Sequence, residues 1–190
     1  MSSHALKHGR YTYRDYCAWP DDERWELIDG QAYNMSPAPA RRHQDVVVEL
    51  SRQIANFLRD HSCRVYTAPF DVRLPRAAEA DDEVDTVVQP DISVVCDPQK
   101  LDDAGCRGAP DWIIEVLSPA TAAKDQIRKR ELYQRHRVKE YWLVHPIDRI
   151  LTIYRLEQDE YGKPDIQATE DATPVATLQG LQIDWGFMAE

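Results

Sequence analysis

The chain has no run of apolar residues near the roughly 20 needed to cross a bilayer. Its opening residues, Met1 to His8, lack the apolar stretch of a secretory signal, so the expectation is a cytoplasmic protein with no membrane partner. The four cysteines, Cys17, Cys63, Cys96 and Cys106, contain no Cys-x-x-Cys pair and no zinc-like spacing to histidine. That predicts reduced thiols, with neither disulfides nor structural zinc. Internal repeats and low-complexity linkers are also missing. The 190 residues therefore read as one domain, with an N-terminal hairpin extension at 1–37, a core at 38–156 and a tail of edge strands at 157–190.

Positive charge is scarce. A formal net charge of −10 excludes a general nucleic-acid coat, since long-range repulsion from phosphates would oppose encounter. The distribution is uneven, however. Residues 79 to 85 carry Glu79, Asp81, Asp82, Glu83 and Asp85 with no base. Between Lys124 and Lys139 seven bases face two acids, Asp125 and Glu131, so one region can meet phosphate although the whole molecule cannot. On charge alone this stretch is equally well a solvated helix face.

Tyr13 to Trp19 predicts a short helix ended by Pro20. Trp25 to Ile28, Asp29-Gly30, then Gln31 to Met35 predicts a β-hairpin, because Asp-Gly favours the two-residue turn that right-twisted strands accept. After Ser36-Pro37-Ala38-Pro39 and as far as about Asp60, His43, Val47, Leu50, Ile54, Phe57 and Leu58 recur at helical spacing, which puts His43 on the apolar stripe and Glu49 off it. Strands are expected at Val65 to Leu74, Gln89 to Cys96 and Asp111 to Leu117. Ser118 to Thr121 opens a second helix reaching His136, and strands at Glu140 to Val144 and Arg149 to Leu156 flank a turn at Asp148. The order describes an α/β fold, a mixed sheet with helices packed against it.

Asp91 and Glu115 each place a carboxylate in a β-branched, apolar run, a costly position unless a partner neutralises it. Alternation sets Asp91 with Ser93 and Val95, and Glu115 with Asp111, Ile113 and Leu117. On neighbouring strands the two carboxylates would share a cleft and suit Mg²⁺ or Mn²⁺, which take oxygen ligands and water. Asp125, Lys129 and Tyr133 follow at i, i+4 and i+8, one helix stripe able to present an ammonium to that cleft. The bland alternative is an exposed Asp125–Lys129 pair worth about 0.3 to 0.5 kcal/mol. Tyr133 is expected to pack with its hydroxyl at the cleft edge. Trp112, Tyr141 and Trp142 read as core rather than a stacking platform.

Pro90-Asp91 on one strand and Glu115 on the next, between two helices, resemble the PD-(D/E)xK superfamily with its restriction-endonuclease-like fold. The run Gly108 to Thr121, then Asp125, Lys129, Tyr133 and Val138 to Val144, is similar to the Uma-type family of restriction-endonuclease-like proteins. Glu26 to Gly30, Met35-Ser36-Pro37 and His43 match that family's N-terminal elements, so the likeness spans nearly the whole chain. It implies a metal-dependent endonuclease, acting on DNA, with Asp91 and Glu115 as metal ligands, Lys129 positioning the attacking water, and Glu26 or His43 completing the site. Asp125 and Tyr133 would support it. A homodimer would suit the cutting of two strands. Two departures stand out. The superfamily lysine would fall at Leu117, and its counterpart here is Lys129 on the following helix; the acid that ends the Tyr141-Trp142 strand elsewhere is replaced by His145. Leu117 and the acidic balance keep open a second reading, a non-catalytic nucleic-acid-binding or protein-interaction module. RNA is a third possible substrate.

Overall fold

The computed structural model describes residues 9–20, 23–35, 40–117 and 122–189, with the side chains of 122–126 left aside. Helix α1 (Tyr13–Tyr16) leads to the hairpin of β1 (Trp25–Ile28) and β2 (Gln31–Asn34). The turn residues Asp29 and Gly30 have φ of 51° and 77°, the positive values that a two-residue hairpin turn demands. A Cβ at Gly30 would stand 2.7 Å from the Cβ of Arg10, so packing as well as φ selects glycine. Helix α2 (Arg41–Phe57) buries His43, Val46, Val47, Leu50 and Ile54 along one stripe. Glu49 lies off that stripe and pairs with Arg52 at 2.6 Å.

The strand expected over Val65 to Leu74 is two strands, β3 (Arg64–Thr67) and β4 (Val72–Arg73). The one expected from Gln89 is likewise preceded by β5 (Val87–Val88) and resumes as β6 (Ile92–Val95). Pro69 and Pro90 separate the halves. Proline gives no N–H to a ladder, and at each of these points the chain passes from one sheet to the other. The stretch expected as a loop before Asp111 holds a small hairpin, β7 (Leu101–Asp102) and β8 (Gly105–Arg107).

From β9 (Trp112–Val116) the expected order holds: α3 (Ala122–Arg135), β10 (Glu140–His145) and β11 (Ile150–Glu157). The proposed helix opening at Ser118 to Thr121 lies outside the described residues. In the tail, β12 (Glu160–Tyr161) and β13 (Asp165–Ala168) both pair with β11, while β14 (Thr173–Pro174) pairs with β15 (Gln182–Ile183).

The main sheet runs β12-β11-β10-β9-β6-β3, and the second runs β2-β1-β5-β4-β8-β7. Within the main sheet β9 and β10 are parallel and β6 is antiparallel to β9, so the sheet is mixed and α3 is the crossover a parallel pair requires. Alternation sorts the core. Ile92, Val94, Trp112, Ile114, Val116, Trp142 and Val144 pack toward α2 and the tail residues Trp185 and Met188. Ile113, Tyr141 and Leu143 pack on the other side with Leu132 and Tyr133 of α3 and with Val72 and Val88 of the second sheet.

One expectation fails outright. Arg64 faces Val95 in the β3–β6 ladder, the next pair outward is Cys63 and Cys96, and their sulfurs are bonded. Cysteines 33 residues apart carry no spacing signal; strand pairing alone brings them together. Cys17 and Cys106 are free. The acidic run at 79–85 is absorbed by arginines from elsewhere: Asp81 meets Arg73 and Arg107, Asp82 meets Arg14, and Asp85 meets Arg10 and Arg76. Among the described residues, no helix is long and apolar enough to cross a membrane.

Candidate active site

Because β5 belongs to the second sheet and β6 to the main one, Asp91 stands at the seam between them. Ile92 faces Ile114 across the β6–β9 ladder, and one further step of that register sets Asp91 opposite Glu115. Directly opposed residues of an antiparallel pair share a face, with Cβ atoms about 4.5 to 5.5 Å apart. Asp91 Oδ2 accepts the amide N–H of Val116 at 2.8 Å, which docks its carboxylate on the strand end that carries Glu115. His43, from the first turn of α2, places Nε2 3.2 Å from the same Oδ2.

Helix α3 crosses the Glu115 face. Lys129 Nζ donates to Glu115 Oε1 at 2.9 Å and lies 2.9 Å from Glu26 Oε1, so one ammonium bridges two carboxylates from different sheets. One turn on, the Tyr133 hydroxyl donates to Glu115 Oε1 at 2.8 Å. The ring of Tyr133 is fully buried and stacks edge-on against Tyr141, so its hydroxyl sits inside the site and not at a cleft edge as the sequence suggested. Glu26 Oε1 also accepts the amide of Gln89 at 3.0 Å. Gln89 was missed in the sequence; its offset of two residues from Asp91 was the available signal.

The site thus gathers Asp91, Glu115, Lys129, Glu26, His43 and Tyr133 from four elements and the seam. The side chain of Asp125 lies outside those described. Asp111 is elsewhere: at the other end of β9, it accepts the Cys96 amide at 2.7 Å and the Lys139 ammonium at 2.6 Å, a structural role. Leu117, at the superfamily lysine position, packs against the α3-side core. His145 follows two residues after Leu143, the register partner of Glu115, so alternation puts it on the site face at the sheet's end. Burial holds its pKa below the ordinary value. Among the bases of 124–139, Arg135, Arg137 and Lys139 are tied to Asp29, Asp159 and Asp111, which shrinks the local positive excess.

Burial dominates the electrostatics. It pushes the Glu115 carboxyl up to about 7; Lys129 opposes the rise, and the negative charges of Asp91 and Glu26 add to it. Burial alone would lower Lys129, but Glu115 and Glu26 outweigh it and hold the ammonium above its ordinary range. For His43, too, burial lowers the pKa, and the hydrogen bond and charge of Asp91 with the charge of Glu115 reverse the sign to a net rise. Two carboxylates therefore meet one permanent cation, with the third, Asp91, opposite Glu115, and the residual negative charge suits a divalent ion. Each acid spends one oxygen on these contacts, Oδ2 for Asp91 and Oε1 for Glu115. Among the described residues, no group of three or more His, Cys, Asp or Glu side chains is set to hold a metal by itself. What the donor set fits is an ion held by two carboxylates and completed by water and substrate oxygen, the habit of Mg²⁺.

A mixed sheet between helices, with carboxylates at the ends of adjacent strands and an ammonium from the crossover helix, defines a restriction-endonuclease-like protein. The chain belongs to the Uma2 family, described as "Putative restriction endonuclease", whose profile matches residues 12–186. An uncharacterized protein of Synechocystis sp. is 27% identical over 148 residues, covering 76% of this chain and 74% of the relative. A crystal structure described as a "putative nuclease belonging to DUF820" from Anabaena variabilis superposes with a TM-score of 0.73. It is 19% identical and covers 93% of this chain and 96% of its own, a likeness of fold.

Proposed function

We propose that the protein is a metal-dependent endonuclease that hydrolyses phosphodiester bonds in DNA, working in the cytoplasm as a homodimer. The observation that carries the reading is the Lys129 ammonium clasped between Glu115 and Glu26, beside Asp91 on the neighbouring strand end. Asp91 and Glu115 would hold Mg²⁺ or Mn²⁺. When bound, such an ion neutralises charge on the phosphate and makes a water more acidic.

The remaining work falls to the chain's own groups. Lys129 keeps its proton between two carboxylates, so it acts as a donor and not as a base. It orients the attacking water and counters the charge that builds on the non-bridging oxygens as the P–O bond to the leaving strand breaks. Glu26 and Tyr133 are positioning residues, fixing Lys129 and Glu115 respectively. His43 does the same for Asp91.

Purified protein incubated with plasmid, single-stranded DNA and RNA, with and without Mg²⁺ or Mn²⁺, tests the reading. Metal-dependent cleavage of DNA, lost in Asp91→Asn and in Glu115→Gln, is expected. Binding without cleavage on single-stranded, duplex and branched substrates with either ion would transfer the assignment to the non-catalytic module, which the net charge of −10 and Leu117 favour.

A further inference from the structure

Ten of the chain's arginines meet a carboxylate, among them Arg10, Arg14, Arg41, Arg52, Arg73, Arg76 and Arg107. Three of those with no carboxylate partner among the described residues neighbour site residues along the chain, at β1, α2 and α3. Arg24 immediately precedes β1, two residues before Glu26, and its guanidinium donates to the neutral Gln89 side chain at 2.8 Å, the residue whose amide holds Glu26. Arg128 precedes Lys129 and lies 5.0 Å over the ring of Tyr33, which is the register partner of Glu26. Arg42 precedes His43, is exposed, and forms no ion pair among the described residues.

The placement of Arg42 is electrostatically unfavourable in the protein alone. It sits in the first turn of α2, which carries no acid and no side-chain cap, at the helix end where the dipole disfavours a cation. Arg41 beside it is compensated by Asp45 at 2.6 Å; Arg42 is not. Arg59, Arg64, Arg130 and Arg149 also lack a carboxylate partner among the described residues, but Arg24, Arg42 and Arg128 lie within two residues of Glu26, His43 and Lys129. Of the other four only Arg130 neighbours a site residue, and its guanidinium lies over the ring of Tyr154.

We propose that Arg24, Arg42 and Arg128 form a phosphate-gripping rim that holds the backbone of the nucleic-acid strand across the Asp91–Glu115 carboxylates. The inference rests on the nuclease reading for its substrate class. Guanidinium forks bond phosphate oxygens two at a time, and rigid partners prepare them: Gln89 aims Arg24 and the Tyr33 face aims Arg128. None of the three touches the reacting atoms; they set register and affinity.

The test is a fluorescent duplex oligonucleotide titrated over a range of salt in Ca²⁺, with wild type and single Gln variants at each position. Each of Arg24→Gln, Arg42→Gln and Arg128→Gln should weaken binding and lower the slope of log affinity against log salt by about one. Arg59→Gln makes the same charge change two residues past the far end of α2, about 25 Å from Arg42 along the helix axis, and should leave that slope as it is. Unchanged slopes in the three rim variants, or an equal fall in Arg59→Gln, overturn the rim. Cleavage in Mg²⁺ is scored separately. Wild-type cleavage with unaltered slopes removes the rim and keeps the nuclease, whereas altered slopes without cleavage keep the rim and remove the nuclease. Failure of the wild type to bind removes both.

Discussion

Lys129→Met is the perturbation whose consequences the structure determines most fully. Nζ stands 2.9 Å from Oε1 of Glu115 and 2.9 Å from Oε1 of Glu26, with the lysine side chain 13% exposed and each acid 10%. At an effective dielectric near 20, each contact supplies about 6 kcal/mol of attraction. Desolvation of each ion offsets several kcal/mol of that. Removing the cation leaves two buried carboxylates facing each other, and the loss of stability should reach about 3 to 5 kcal/mol. The loss must also depend on pH. Burial already raises Glu115 to about 7, and Lys129 is the largest influence opposing it, so without Lys129 the folded-state value climbs further. In the unfolded chain Glu115 titrates near its ordinary value of about 4.3. A folded state with the higher carboxyl pKa binds more protons than the unfolded state, so stability falls as pH rises from about 4.3 through the folded value. The penalty of Lys129→Met should therefore be at its smallest while Glu115 is protonated in both folded proteins, below about pH 7, and grow as pH rises from there through the variant's higher folded value. Urea unfolding of wild type and variant at acidic and alkaline pH reads the difference directly. A loss below about 1 kcal/mol, the ordinary worth of an exposed pair, or one equal at both pH values, would refute the ion-pair reasoning.

Mg²⁺ or Mn²⁺ should raise the Tm of the wild type and not that of Asp91→Asn/Glu115→Gln, because only the first relieves carboxylate repulsion by binding the ion; equal shifts in calorimetry would put the ion elsewhere. Asp111→Asn, which weakens acceptance from the Cys96 amide and loses the charge facing Lys139, should cost about 1 to 3 kcal/mol in unfolding experiments while cleavage stays intact. Lost cleavage with stability retained would instead make Asp111 part of the site.

What the sequence made legible was whatever depends on local period and turn chemistry. The Asp29-Gly30 hairpin, the α2 stripe with His43 inward, and the β10–β11 turn at Asp148 all follow from residues within a dozen positions of one another. Asp91 and Glu115 were visible as charges in apolar strands, and the pairing of β6 with β9 was required for them to meet. Other features depend on pairings distant in sequence. Pro69 and Pro90 each looked like a local irregularity in one strand, yet both mark a passage between sheets. Cys63 and Cys96 meet only because β3 lies on β6. Charge counting misled because both runs find partners outside themselves: the acidic run at 79–85 meets Arg73 and Arg76 just before it and Arg10, Arg14 and Arg107 at long range, and the basic run at 124–139 meets Asp29, Asp111 and Asp159. The net figure thus obscured which arginines remained uncompensated.

The displacement of lysine from the strand to the helix follows from topology. The parallel pair β9–β10 forces a crossover, and α3 serves by returning over the face of β9 that carries Glu115. A residue two turns into that helix can therefore reach the carboxylate that a strand neighbour at position 117 would otherwise reach, and Lys129 does so at 2.9 Å. The helical route has a structural consequence. A lysine on β9 would be fixed by the ladder, whereas Lys129 arrives on a long side chain from another element and needs a second anchor. Glu26, reaching across from the second sheet, supplies it, and Tyr133 one turn on holds Glu115 to the same oxygen. The hairpin that carries Glu26 is on this argument part of the frame that holds Lys129, since shifting its register by one residue would turn Glu26 away from the site and leave Lys129 with a single partner.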